Sequence, residues 1–228
     1  EYLASNRSIP KASRRDVPVL LALGQDGATT VATTMMFAQM AGIKVFATGG
    51  IGGVHRNAQE TFDISADLEE LASTSVAVVC AGAKSILDIA LTKEYLETNG
   101  VPVLGYKTED LGGFYTRKSG FKVDRQIDSI EDFAKIIDTK AKLGLKGGMV
   151  ISNPIPSEYE MDYEYISSSI EQALKEADEK GIRGKDTTPF LLERIHTITE
   201  GKSVNANKQL VFNNARVAAQ IAVALSKL

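Results

Sequence analysis

A chain of 228 residues, 43% hydrophobic and 24% charged, has the composition of an ordinary globular protein and the length of one large domain. Its formal net charge of −3 gives no basic face for nucleic acid, and no run approaches the roughly 18 apolar residues that span a membrane. The first residues carry no secretory hydrophobic region, and the single cysteine, Cys80, excludes an internal disulfide.

Residues 1–16 are polar and end in Lys11-Ala-Ser-Arg-Arg-Asp16. Val19 to Leu23 reads as a strand entered at Pro18 and closed by the turn signal Gly24-Gln-Asp-Gly27. The spacing of Val31, Met35, Phe37 and Ala38 predicts a helix over 29–40, stopped at Gly42. Ile43 to Thr48 is β-branched and aromatic, a buried strand that runs into Gly49-Gly-Ile-Gly-Gly-Val-His-Arg56. Asp67-Leu-Glu-Glu70 has the spacing of a capping box and predicts a short helix to Ser73. The apolar run 76–81 is a second strand, with Gly82-Ala-Lys84 at its end. A helix over 85–98 follows, stopped by Asn99-Gly100, and then a strand over 101–106.

Residues 108–127 lose the pattern and read as a long surface excursion. Ser129 and Asp132 cap a helix to Leu143, and 147–156 is a strand that meets a proline-punctuated loop. Tyr163, Ile166, Ile170, Ala173 and Ala177 mark one amphipathic helix. Thr188 caps another over 189–200, and Ser203 opens a last one through Leu225. Strands alternate with helices in the first half and helices dominate the end, the pattern of an α/β protein with a layered sheet.

Two strands thus end in glycine-bearing loops, one carrying His55 and Arg56, the other Lys84. Open α/β sheets bind ligands at the carboxyl ends of their strands. An amine behind a buried strand, among small residues, loses hydration; its pKa falls and it becomes a nucleophile for carbonyl carbon, although by position alone a surface lysine at a helix start accounts for Lys84 slightly better. Lys11, Arg14 and Arg15 have the chemistry to bind phosphate, although on their own a solvated charge run explains them better. Asp63 lies outside any capping position and suits Mg²⁺ or Mn²⁺, ions that keep several waters. Asp67 is explained as an N-cap. Gly50-Ile-Gly-Gly-Val-His55 only partly matches a dinucleotide loop, because His55 replaces the last glycine and no helix opens directly. His55 has no second histidine nearby, since His196 falls on a late, solvent-facing helix, so zinc is not expected.

Lys11-Ala-Ser-Arg-Arg-Asp16, Gly27-Ala-Thr-Thr-Val31, Phe46-Ala-Thr-Gly-Gly-Ile-Gly-Gly-Val-His-Arg56, Phe62-Asp-Ile-Ser-Ala-Asp67, Val79-Cys-Ala-Gly-Ala-Lys-Ser-Ile-Leu-Asp88 and Phe212-Asn-Asn214 resemble the pseudouridine-5′-phosphate glycosidase family, also called the indigoidine synthase A-like proteins. The resemblance covers essentially the whole chain. It implies a three-layer α/β/α fold with a mixed central sheet, a cytoplasmic homotrimer, and a divalent metal, Mn²⁺ or another such as Mg²⁺. It also implies reversible cleavage of pseudouridine 5′-phosphate to uracil and ribose 5-phosphate, a lyase or glycosidase reaction of the carbon–oxygen hydro-lyase class. Lys84 matches the family's nucleophile, Lys11 a substrate-binding lysine and Asp63 the metal-associated aspartate. Val31 and Ser65-Ala66-Asp67 match substrate contacts, and Thr30, His55 and Asn207 resemble further pocket residues.

One departure stands out. The family's general acid is a glutamate in a Glu-Ser-Thr motif ahead of the Lys11 position, and Glu1-Tyr-Leu-Ala does not match it. The chain opens at Glu1 rather than at methionine, which reads as a fragment or a processed product: a single catalytic domain over 1–228 without that segment. Pseudouridine joins sugar to base through carbon, so no leaving oxygen exists for the acid of an ordinary glycosidase. A lysine that captures the ring-opened sugar as an imine answers that difficulty. An imine-forming aldolase on another sugar phosphate, or a silent sugar-phosphate-binding protein, would use the same Lys84 and phosphate cradle.

Overall fold

Short strands alternate with helices in the computed structural model, which describes residues 2–6 and 8–228; Glu1, the residue set against the family's acid, lies outside them. Helix α1 (Tyr2–Ser5) leads to strand β1 (Lys11–Ala12), helix α2 (Val17–Ala22), β2 (Ala28–Thr29) and α3 (Val31–Met40). Next come β3 (Val45–Ala47), α4 (Ala58–Thr61), α5 (Ala66–Ser73), β4 (Ala77–Cys80), α6 (Ile89–Thr98), β5 (Val103–Tyr106) and β6 (Arg125–Ile127). The chain ends with α7 (Ile130–Lys142), β7 (Met149–Ser152), α8 (Tyr163–Glu179), α9 (Thr187–Ile198) and α10 (Lys202–Leu225).

The main sheet has the order β3-β4-β7-β5-β6, and β1 and β2 form a separate pair. Every pairing between these strands is parallel, so the mixed central sheet expected from the family resemblance is corrected to a parallel one. The cause is the connections: helices carry the chain back between β3 and β4, β4 and β5, and β6 and β7, so each strand starts from the same end. Parallel sheets are covered on both faces, and β4 and β7 are buried at every residue. Alternation splits their side chains. Val78, Cys80 and Val150 join the core with Met35 and Leu68, under α3 and α5. Ala77, Val79 and Ile151 point the other way, against Phe133 and Ile137 of α7 and Val217 and Ile221 of α10. The layers are helix, sheet, helix, as expected.

Four local expectations change. Val19 to Leu23 belongs largely to helix α2, not a strand: Pro18 sits in its first turn, where a missing N–H costs nothing, and Val19, Leu21 and Leu23 are exposed instead of alternating inward. The excursion over 108–127 is not superficial, because Leu111, Phe114, Tyr115 and Thr116 are buried and β6 closes it as an edge strand. Lys84 does not start a helix; α6 opens later, capped by the Asp88 carboxylate accepting from Leu91 N–H at 2.9 Å. Thr188 and Pro189 lie inside the first turns of α9, whose N-cap position is Asp186.

Candidate active site

A cleft of about 990 Å³ opens over the carboxyl ends of β3 and β4, where a parallel sheet is expected to bind. Its floor is the glycine loop after β3 and the Gly82-Ala-Lys84 turn after β4. The two are stitched together: Ile51 N–H donates to Gly82 O at 3.1 Å, and Lys84 N–H to Ile51 O at 3.1 Å. The starts of α3 and α5 form one wall, β1 carries Lys11 to the rim, and α9 and α10 close the far side.

Asp67 ties these pieces. The N-cap of α5 is Ser65, so the capping role expected of Asp67 is corrected. Its carboxylate is buried and accepts from two backbone N–H groups, Ala32 at 2.9 Å and Gly52 at 2.8 Å. Gly52 must lack a side chain, because a Cβ there would collide with Ser65 Oγ and lie 2.7 Å from Asp67 Oδ2. Thr30, the N-cap of α3, donates its hydroxyl to Ala12 O at 3.0 Å and so ties β1 to that helix.

Electrostatics separates the lysines and the histidine from ordinary surface groups. Burial pushes the Lys84 amine below the usual lysine range, against the opposing pull of Asp67 and with a further push from Lys11. Burial also lowers His55, opposed by Asp63 and helped by Lys11 and Lys84. Burial thus favours the neutral imidazole, whose Nδ1 lies 3.9 Å from Asp63 Oδ2. Behind the floor, burial drives the Cys80 thiol up to about 11, as befits a core residue.

All the predicted site residues line this one cleft: Lys11, Thr30, Val31, His55, Asp63, Ser65, Ala66, Asp67, Lys84 and Asn207. Arg15 and Ser13 join them, whereas Arg14 is withdrawn into a two-bonded pair with Glu70, at 2.8 and 2.5 Å. His196 is exposed on α9, as expected. Phe114 was missed: it lines the cleft with a left-handed backbone, φ 67°, and no residue-type signal marks a phenylalanine for that conformation. Thr48, Leu192 and Val211 were also passed over as cleft residues.

Among the described residues no three His, Cys, Asp or Glu side chains cluster as a metal cage. Asp16 and Asp67 also line the cleft, but the Asp67 oxygens already accept from backbone amides, and the carboxylate paired with an imidazole is Asp63 beside His55, both partly buried. That set fits a hard divalent ion that keeps most of its waters, and does not fit a four-ligand zinc site.

Residues 1–224 match the family described as Indigoidine synthase A like protein. A pseudouridine-5′-phosphate glycosidase of Brachyspira hyodysenteriae is 66% identical over the whole chain, which covers 74% of that protein. The enzyme of the same name from Clostridium botulinum is 64% identical over the whole chain and 75% of its own length. Among solved structures, the prealnumycin C-glycosynthase AlnA in complex with ribulose 5-phosphate superposes with a TM-score of 0.91 at 41% identity, covering 98% of this chain and 74% of that one.

Proposed function

The chain belongs to the indigoidine synthase A-like family, and from that premise we propose that it is a pseudouridine-5′-phosphate glycosidase. It takes up water and splits the carbon–carbon glycosidic bond reversibly, releasing uracil and ribose 5-phosphate. The observation that carries the reading is Lys84: an amine lowered by burial, at the end of a buried strand, on the floor of a cleft with cations at its rim. A sugar phosphate held by a protein of the same fold adds support.

The neutral Lys84 amine bonds to the sugar carbon that bears the base while the bond from that carbon to the ring oxygen breaks, and the oxygen takes a proton. The nitrogen then loses a proton. Its lone pair forms the C=N bond as the carbon–carbon bond breaks, and the uracil carbon left with the electron pair takes a proton. Water adds to the resulting iminium and releases ribose 5-phosphate and the free amine, which balances the reaction. Run backwards, it expels water, the basis for the hydro-lyase class. Lys11, the Ser65–Ala66 start of α5 and the α3 N-terminus suit the 5′-phosphate, since cations and helix N-termini favour a dianion. Val31, Thr30 and Asn207 shape the remaining walls. Asp63 and His55 would hold Mn²⁺ or Mg²⁺, which when bound supplies positive charge beside the substrate oxygens. A homotrimer in the cytoplasm is part of the same proposal.

The test pairs turnover with trapping. The intact protein should release uracil from pseudouridine 5′-phosphate, and borohydride with ribose 5-phosphate should leave a stable adduct on the peptide containing Lys84. An adduct on Lys11, or no release of uracil, would overturn the reading.

A further inference from the structure

Helix α10 reaches the cleft through Asn207 and Val211, and about two turns after Asn207, on the same face, it carries Asn214. Asn214 is completely buried, and the mechanism above does not use it. Its Nδ2 donates to Thr48 O at 2.8 Å, with a longer approach of 3.5 Å to Gly49 O, so it grips the chain where β3 becomes the glycine loop. Its Oδ1 accepts from Asn153 Nδ2 at 2.9 Å. Asn153, also buried, follows β7 and donates its backbone N–H to Cys80 O at 2.8 Å. Gly49 O in turn accepts from Ala81 N–H at 2.9 Å. One amide relay thus joins α10 to the ends of β3, β4 and β7.

The consequence lies at Asn207. Its Oδ1 stands so near the glycine loop that a Cβ on Gly49 would be 3.1 Å away. The distance between that amide and the loop follows the rotation and height of α10, which Leu210 and Val211 pack against Gly49, Asn213 ties to Pro154 O at 3.2 Å, and Asn214 ties directly to Thr48 O. We propose that Asn214, with Asn153 behind it, is a positioning residue that holds the Asn207 side chain and the Thr48–Gly50 turn at the separation the base end of the substrate requires. Buried amide groups that lose their partner are costly, so the relay keeps a single register and does not slide. The assignment to the base rests on the proposed function, because Lys84 binds the sugar carbon next to the base.

The experiment uses Asn153→Ala and Asn214→Leu in the intact protein, with synthesis of pseudouridine 5′-phosphate from uracil and ribose 5-phosphate. Each variant should raise the KM for uracil about tenfold, the loss of roughly one bridging hydrogen bond, while borohydride trapping of ribose 5-phosphate on Lys84 stays within about twofold. The double variant should lose no more than the worse single one, because both cut one relay. Should Asn214→Leu not fold, Asn153→Ala carries the test, since it breaks the relay one step away from α10. Hydrogen exchange gives a readout independent of the reaction: Thr48 and Ala81 amides should exchange faster in Asn153→Ala, together with those flanking Asn207. An active wild type whose folded Asn153→Ala variant keeps its KM for uracil, or loses trapping equally, would overturn the inference alone. Inactive wild type would overturn the proposed function, and unchanged exchange at Thr48 and around Asn207 would then overturn the relay by itself.

Discussion

The floor and the rim of the cleft carry the same kinds of residue under opposite conditions. On the floor, Lys84 is partly buried, and the Asp67 carboxylate beside it has both oxygens occupied by backbone amides. On the rim, Lys11 is exposed on a two-residue strand, and Arg15 is 89% exposed. Removing water from an amine lowers its pKa and makes it a nucleophile; leaving water around a cation keeps it a cheap, mobile partner for phosphate. One lysine is thus fitted for making bonds and the other for holding charge, and burial decides which is which.

The sharpest way to break this contrast is to give the floor a charge that cannot be lost. Lys84→Arg should abolish trapping and lower turnover by at least about a thousandfold, because guanidinium stays protonated near neutrality. Ribose 5-phosphate should still bind. Full turnover by that variant would mean that the floor does not supply the nucleophile. At the rim, Lys11→Ala should cut kcat/KM for the phosphorylated substrate by roughly fiftyfold and cost the unphosphorylated nucleoside far less, only the share that comes from losing its push on the Lys84 amine. Equal losses for both substrates would remove Lys11 from the phosphate site. Asp63→Asn should cost roughly tenfold in activity, recoverable with excess Mn²⁺, as expected for a weakened ligand to a hydrated ion. Activity that survives exhaustive chelation in that variant would end the metal assignment.

The smallest effect sharpens the comparison through stability. In the unfolded chain Lys84 titrates near its ordinary 10.5, and in the folded protein below that. Between the two values the unfolded state binds more protons, so stability rises with pH across that window. Below the window the fold must hold a proton on a buried amine. Lys84→Met should therefore raise the Tm at pH 7, and its advantage should shrink as the pH climbs toward 10.5. A wild type and Lys84→Met that stay in parallel across the pH range would show that Lys84 is not held at a cost.

The sequence made the sheet readable where strands are buried on both faces, because runs such as Ala77–Cys80 and residues 149–151 stay apolar without alternating. It hid β6, an edge strand that begins Arg125-Gln126, whose polar residues carry no strand pattern. Gly112 and Gly113 read as a surface loop because glycine marks both exposed turns and close passages; here the backbone passes the end of β4, and Phe114 N–H donates to Ala81 O at 3.1 Å. The site was legible as types of residue in two strand-end loops. That Asp67 would serve two backbone amides, or that Asn214 would face Thr48, depends on helices packing across the sheet, and spacing along the chain does not encode it.

Strand β7 sits between β4 and β5, although the chain makes β4 and β5 first. Until residues 149–152 arrive, no strand pairing joins the two halves of the sheet, and the side of β4 that β7 will cover stands open. During synthesis the growing chain therefore cannot close its central sheet before β7 leaves the ribosome. The layer of α10 that shields the other face comes later still. The order of strands thereby leaves the joining of the two halves of the sheet to a strand made late in the chain.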